Sequence, residues 1–204
     1  MRETARLITA SKNPKMKVYC SEWNAQSTDW RTGLYAGGVL NAFERCGDFF
    51  EIGGPALFLR HVSATGWDNS FVNFDHRTWF PAPNYVVMKL WRDCYAPHRI
   101  AATGDSGPLN AVATTTADGR IVYYKAVNAT EQAVPLKLTV AAGFSILKAS
   151  LQVVAPGKLD ARNTLDAPNA VRVESGNANV AGQTVEVELP PLSAAVVAIE
   201  VQTK

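Results

Sequence analysis

The sequence lacks three features that would each define a class of protein. No apolar stretch approaches the roughly 18 residues of a helical membrane span, so no membrane-embedded segment is expected. Basic and acidic residues, 20 and 18, are scattered without a basic block. A nucleic-acid partner needs a clustered basic face and is therefore not expected either. Cysteine is scarce: Cys20, Cys46 and Cys94 cannot all pair within one chain and show no C-x-x-C or metal-type spacing. They read as free thiols that behave as small hydrophobes. The N-terminal stretch MRETARLITASKNPKMK has no apolar core and no small-residue cleavage site, so it does not read as a secretory signal. That leaves the compartment open, because a longer parent could carry a signal upstream. No repeat or low-complexity tract is present. What remains is an ordinary globular composition, 47% hydrophobic and 19% charged over 204 residues, enough for one large or two small domains.

Aromatic residues divide the chain. All five tryptophans lie between Trp23 and Trp91, whereas the second half holds only Tyr123, Tyr124 and Phe144. The Pro/Gly-bearing stretch from Pro97 to Pro108 is the expected boundary, giving domains 1–97 and 98–204.

The first half alternates strand and helix patterns. MKVYCS, Met16 to Ser21, reads as a strand. A helix of four to five turns follows, capped near Thr28 or Asp29. Leu34, Tyr35, Val39, Leu40, Phe43 and Cys46 form its apolar stripe, and Gly47 stands at its C-cap. Gly33, Gly37 and Gly38 weaken a helix but permit close packing on a sheet. Phe49 to Val62 is mixed, with a short helix preferred. SFVNFD, Ser70 to Asp75, reads as a second strand, and Pro83 opens a second helix, PNYVVMKLWRDC. Two βα units cannot close a sheet or barrel, which takes about 250 residues when eight-fold. These hundred residues therefore look like part of something larger.

The second half is all β. Expected strands are 111–115, 120–127, 135–140, 146–153, 170–174, 178–181, 184–189 and 194–201. Turn signals such as Asp118-Gly119 and Pro156-Gly157 separate them, the cadence of a sandwich or jelly roll. In VEVELP, Val185, Val187 and Leu189 alternate with Glu186 and Glu188, so one face is buried and the other wet.

One residue stands out by position. Glu22 follows the strand MKVYCS and is followed by Trp23 and Asn24. In β/α barrels, catalytic groups project from the C-terminal ends of strands. A carboxylate there, beside an aromatic wall, suits glycosidic chemistry, although one glutamate among 18 acidic residues is by itself better explained by solvation or an ion pair. Trp23, Trp30 and Trp67 could stack on a sugar ring or fill a core, and Trp67 is the best placed because it precedes a strand in a loop. Asp75 ends the strand VNFD and His76 and Arg77 follow it on the rim where such sites form, but a turn-capping aspartate and rim residues bonded to backbone carbonyls explain them better than a catalytic role.

The segment from Lys17 to Trp91 resembles the terminal barrel region of family 51 α-L-arabinofuranosidases. Its matching features come in order: a strand ending in Glu22-Trp23, the helix GLYAGGVLNAFER, the connector at Gly54-Pro55-Ala56, Trp67, VNFD, and a helix opening Ala82-Pro83-Asn84-Tyr85. The closing VEVELPPLSAAVVAIEV is similar to the last strands of that family's β-sandwich. The resemblance implies the last two βα units of a (β/α)8 barrel followed by a β-sandwich. It also implies retaining hydrolysis of terminal α-L-arabinofuranosyl groups from arabinan and arabinoxylan, without a metal or organic cofactor. Glu22 occupies the nucleophile's position, and Trp23, Asn24 and Trp67 are the expected substrate contacts. The family's acid/base glutamate, preceded by asparagine at the end of the fourth strand, has no match here. Asp29, Glu44, Glu51, Asp68 and Asp75 do not fit its motif, and Arg60 and His61 stand near an expected amide. The chain alone is therefore expected to be inactive, with the N-terminal barrel portion as a partner and self-association a second expectation. A non-catalytic sandwich that binds polysaccharide or serves as a structural module is the other reading.

Overall fold

The computed structural model describes residues 1–203. Helix α1 (Arg2–Thr9) leads to strand β1 (Val18–Trp23), helix α2 (Trp30–Arg45) and strand β2 (Phe50–Pro55). β1 and β2 are parallel neighbours, with Val18 opposite Phe50 and Trp23 opposite Pro55. α2 is thus the crossover of a βαβ unit. A lobe of three short strands follows, β3 (Leu59–His61), β4 (Val72–Phe74) and β5 (Trp79–Pro81). β3 runs parallel and β5 antiparallel to β4 between them. Helix α3 (Pro83–Asp93) ends this half.

The second half supplies β6 (His98–Arg99), β7 (Asn110–Thr115), β8 (Ile121–Asn128), β9 (Val134–Thr139), β10 (Phe144–Val154), β11 (Glu174–Gly176), β12 (Asn179–Ala181), β13 (Thr184–Leu189) and β14 (Ser193–Thr203). They form two sheets, ordered β11-β10-β14-β8-β7-β6 and β12-β13-β9. In β13, Val185, Val187 and Leu189 are buried while Glu186 and Glu188 are exposed, as the alternation requires. β14 is apolar on both faces because both are covered. Val196 joins the core under the helices, and Val197 joins the core between the two sheets.

α2 and α3 lie directly on the larger sheet. Asp29 caps α2 by accepting the Arg31 backbone N–H at 3.1 Å. The α2 glycines allow close approach: a Cβ at Gly37 would stand 2.7 Å from Val127 Cγ2. Trp30 is fully buried and donates its indole N–H to the Leu192 carbonyl at 2.5 Å. The buried Asn41 amide donates to the Asn110 carbonyl at 2.8 Å and accepts the Trp91 indole N–H at 2.8 Å. The Lys125 side chain is wholly buried and donates to Glu44 Oε1 at 2.5 Å. Burial pushes the Glu44 carboxyl up from its ordinary value, and the neighbouring Lys125 charge opposes that.

Four sequence expectations change. Phe49–Val62 holds no helix but β2 and β3. Its glycines explain why: a Cβ on Gly53 would meet the Phe43 ring at 2.8 Å and one on Gly54 the Ser21 carbonyl at 2.7 Å, so β2 is pressed against α2 and β1. The strand of the second βα unit is consequently β2, and SFVNFD contributes β4 to the separate lobe instead. α2 ends at Arg45 with Cys46 as its cap, one residue before Gly47. Residues 170–173 are not a strand, since Val171 is buried and its backbone N–H and carbonyl are both bonded by the Asn163 amide, at 2.6 and 3.0 Å. The three cysteines are free, with Cys94 buried and Cys20 and Cys46 half-buried. Among the described residues no helix is long and apolar enough to cross a membrane.

Candidate active site

Strand β1 carries Glu22 to its C-terminal end. Because successive side chains alternate across a strand, Glu22 faces solvent while Trp23 turns into the core. The Glu22 carboxylate opens on a cleft of about 410 Å³ whose lining includes Asn24, Tyr35, Ala56, Trp67 and Asn69. Glu22 is the one carboxylate among the residues of that lining, and it enters no ion pair among the described residues.

The expected sugar contacts separate by burial. Trp67 is 73% exposed and lines the cleft. Trp23 is 7% exposed, its ring edge-on to Phe71 at 5.3 Å and to Phe43 at 6.2 Å, so it forms the floor of the cleft. Trp30 lies in the core beneath the helices. Asn24 joins three elements. Its amide donates to the Asn69 carbonyl at 2.5 Å, and its Oδ1 accepts the Ala25 N–H at 2.8 Å and the Asn84 amide at 3.2 Å. Asn69 returns the contact through Nδ2 to the Ala25 carbonyl at 2.8 Å. The loop after Glu22 is thereby stitched to the loop before β4 and to the first turn of α3.

The remaining carboxylates serve structural contacts or solvent. Asp75 caps the β4–β5 turn, accepting the Arg77 and Thr78 N–H groups at 2.8 and 2.7 Å, and those bonds hold its carboxyl below the usual range. Asp29 caps α2, Glu44 pairs with Lys125, and Glu51 and Asp68 are exposed. His76 lies against the His61 ring with centroids 4.8 Å apart, and Arg77 is exposed on the turn. The Arg60 guanidinium turns back to its own loop, donating to the Ala64 carbonyl at 2.5 Å and the Gly66 carbonyl at 3.5 Å. In the sandwich, Tyr124 is buried between the sheets and Tyr123 is packed toward the helices, so neither offers an open aromatic platform. Sequence reasoning passed over Tyr35, Ala56 and Asn69. Only the asparagine carried a usable signal, as a polar residue directly before the apolar strand that it anchors.

A parallel βαβ unit with a carboxylate at its strand end, followed by a helix and a two-sheet sandwich, is the arrangement of a partial β/α barrel joined to a β-sandwich. Residues 12–193 match the family described as the α-L-arabinofuranosidase C-terminal domain, and the chain belongs to that family. An extracellular exo-α-L-arabinofuranosidase of Streptomyces chartreusis is 29% identical over 98 residues, 46% of this chain and 12% of that protein. The arabinose complex of an α-L-arabinofuranosidase from Thermotoga maritima superposes with a TM-score of 0.80 at 18% identity, covering 98% of this chain and 47% of that one. The family 51 enzyme of Thermotoga petrophila RKU-1 gives 0.78 at 17% identity, covering 98% and 47%. The chain thus spans less than half the length of these relatives, and the solved structures align with it as a partial barrel plus sandwich.

Proposed function

We propose that this chain is the nucleophile-bearing C-terminal portion of a retaining α-L-arabinofuranosidase acting on terminal α-L-arabinofuranosyl groups of arabinan and arabinoxylan. The observation that carries the reading is Glu22 itself: an unpaired carboxylate at the C-terminal end of a parallel strand, opening on a cleft walled by an exposed tryptophan. In this mechanism a Glu22 oxygen attacks the anomeric carbon while the bond to the leaving oxygen breaks, and a second carboxyl group protonates that oxygen. The arabinosyl ester on Glu22 is then hydrolysed by water, which gives its proton to the same second group.

Retaining chemistry places the second carboxyl about 5–5.5 Å from the nucleophile. The cleft lining supplies no such group, so the acid/base comes from the N-terminal part of the barrel, and the chain alone does not turn over. We place the boundary between barrel and sandwich portions at residues 97 and 98, immediately before β6. The test is hydrolysis of an aryl α-L-arabinofuranoside by the chain alone and by the chain mixed with an N-terminal barrel portion of a family 51 enzyme. Activity confined to the mixture supports the proposal. Turnover by the chain alone overturns the division of labour, and silence in a mixture shown to associate overturns the enzymatic reading.

A further inference from the structure

The exposed Trp67 poses a physical problem, because a loop indole with 73% of its surface in water has little packing to fix its orientation. Its flanks show what holds it. On the C-terminal side, Asn69 and Ser70 are buried, and Asn69 is bonded in both directions to the loop that follows Glu22. On the N-terminal side the hydrogen bonds of residues 63–66 run back to β3. The Ala64 N–H donates to the His61 carbonyl at 3.0 Å, the Ser63 N–H to His61 Nδ1 at 3.3 Å, and the Arg60 guanidinium to the Ala64 and Gly66 carbonyls. The Gly66 carbonyl belongs to the peptide that joins directly to Trp67. β3 is in turn fixed by its parallel pairing with β4, Arg60 opposite Asn73, and Asn73 is buried and accepts the Ser70 hydroxyl at 2.9 Å.

We propose that Arg60 is a positioning residue which sets the place of the Trp67 indole over the Glu22 cleft, and so the fit of the sugar ring that stacks on it. This rests on the reading of Glu22 and its cleft given above. A guanidinium suits the task because it is always charged and presents several N–H groups in a fixed plane, so one side chain spans the carbonyls of Ala64 and Gly66, two residues apart. A lysine ammonium has three donors but no fixed planar fork, so it orders the two carbonyls less well. The Arg60 side chain acts on the loop and does not itself line the cleft.

The test begins in the full chain labelled with fluorotryptophan. Fluorine NMR resolves the tryptophans, and Trp67→Phe identifies the Trp67 resonance. Arg60→Ala and Arg60→Lys are expected to shift or broaden that resonance while those of the buried Trp23, Trp30 and Trp91 stay in place. Those three unmoved lines also show that the variants fold. An unchanged Trp67 resonance in both variants overturns the clamp. In the active mixture with the barrel portion, Arg60→Ala is expected to raise KM for the aryl arabinofuranoside by about tenfold, the scale of one aromatic contact, with kcat held within about twofold. Arg60→Lys is expected to recover part of that loss. An unchanged KM beside a displaced Trp67 overturns the role in fit. Absence of activity with wild-type Arg60 refutes instead the enzymatic reading on which the role rests, and the fluorine result still judges the clamp.

Discussion

The two strand systems of this molecule solve the same problem with unequal success. In the sandwich half, β14 lies between β10 and β8 along most of its length, and both of its faces are covered, one by helices and one by the smaller sheet. In the first half, β1 and β2 pair only with each other. Tyr19 on β1 and Ile52 on β2 are 65% and 58% exposed, and Leu59, Trp67 and Trp79 of the adjoining lobe are exposed as well. A parallel pair is normally covered on both faces. Here only the side toward α2 and α3 is covered, by Trp23, Phe43 and Phe71. One half is finished architecture; the other presents the apolar surface and free strand edges of an incomplete barrel.

The buried contacts between helices and sheet test whether the halves unfold together. Glu44→Ala leaves the Lys125 ammonium without its partner at 0% exposure, and removing one member of a buried pair costs about 3–5 kcal/mol. Urea unfolding followed by tryptophan fluorescence and by far-UV circular dichroism should show both transitions moving together. If only the fluorescence transition moves, helices and sheet are separate cooperative units. Gly37→Val forces a side chain against Val127 and is expected to cost about 1–3 kcal/mol. A smaller change would mean that α2 can lift from the sheet without loss.

The exposed strand pair makes the opposite prediction. Tyr19→Glu with Ile52→Lys removes apolar surface without touching the core, so stability should change by less than about 0.5 kcal/mol. Light scattering of the unaltered chain is expected to show self-association, and the double variant should lose it. A sharp monomer mass for the unaltered chain would show that this face is satisfied in some other way. The smallest effect concerns pH. The folded state depresses the Asp75 carboxyl through two backbone N–H bonds. Its contribution is therefore present above the unfolded value and is lost as pH falls through the folded one. Asp75→Asn should flatten that part of the acid limb in a pH series of unfolding midpoints, and an unchanged limb would remove Asp75 from it.

How much of this was legible in the sequence depended on where the burial signal came from. The sandwich strands were readable because turn residues punctuate them and because β13 alternates between one dry face and one wet face. α2 was readable through its stripe and Asp29, and α3 through Pro83. β2 and β3 were not, because FEIGGPALFLR carries no period: its glycines are dictated by the Phe43 ring and the Ser21 carbonyl, which are tertiary neighbours. Glu22 was legible as a carboxylate at a strand end, although β1 runs from Val18 to Trp23 and takes Glu22 in rather than ending at Ser21. That Trp67 would be the exposed indole followed from its loop position before a strand, whereas the burial of Trp23 as the floor did not, since its place after a strand does not distinguish a core indole from an exposed one. The Arg60 contacts to loop carbonyls leave no trace in composition, because backbone acceptors have no sequence signature.

Glu22 is proposed to form the covalent bond. The most direct test is mass spectrometry of the chain, mixed with the barrel portion and quenched during turnover of an activated α-L-arabinofuranoside. A pentosyl ester is expected on the peptide carrying Glu22, absent from Glu22→Gln together with the activity. Hydrolysis that persists at full rate in Glu22→Gln, or an ester found on another carboxylate, would contradict the proposal.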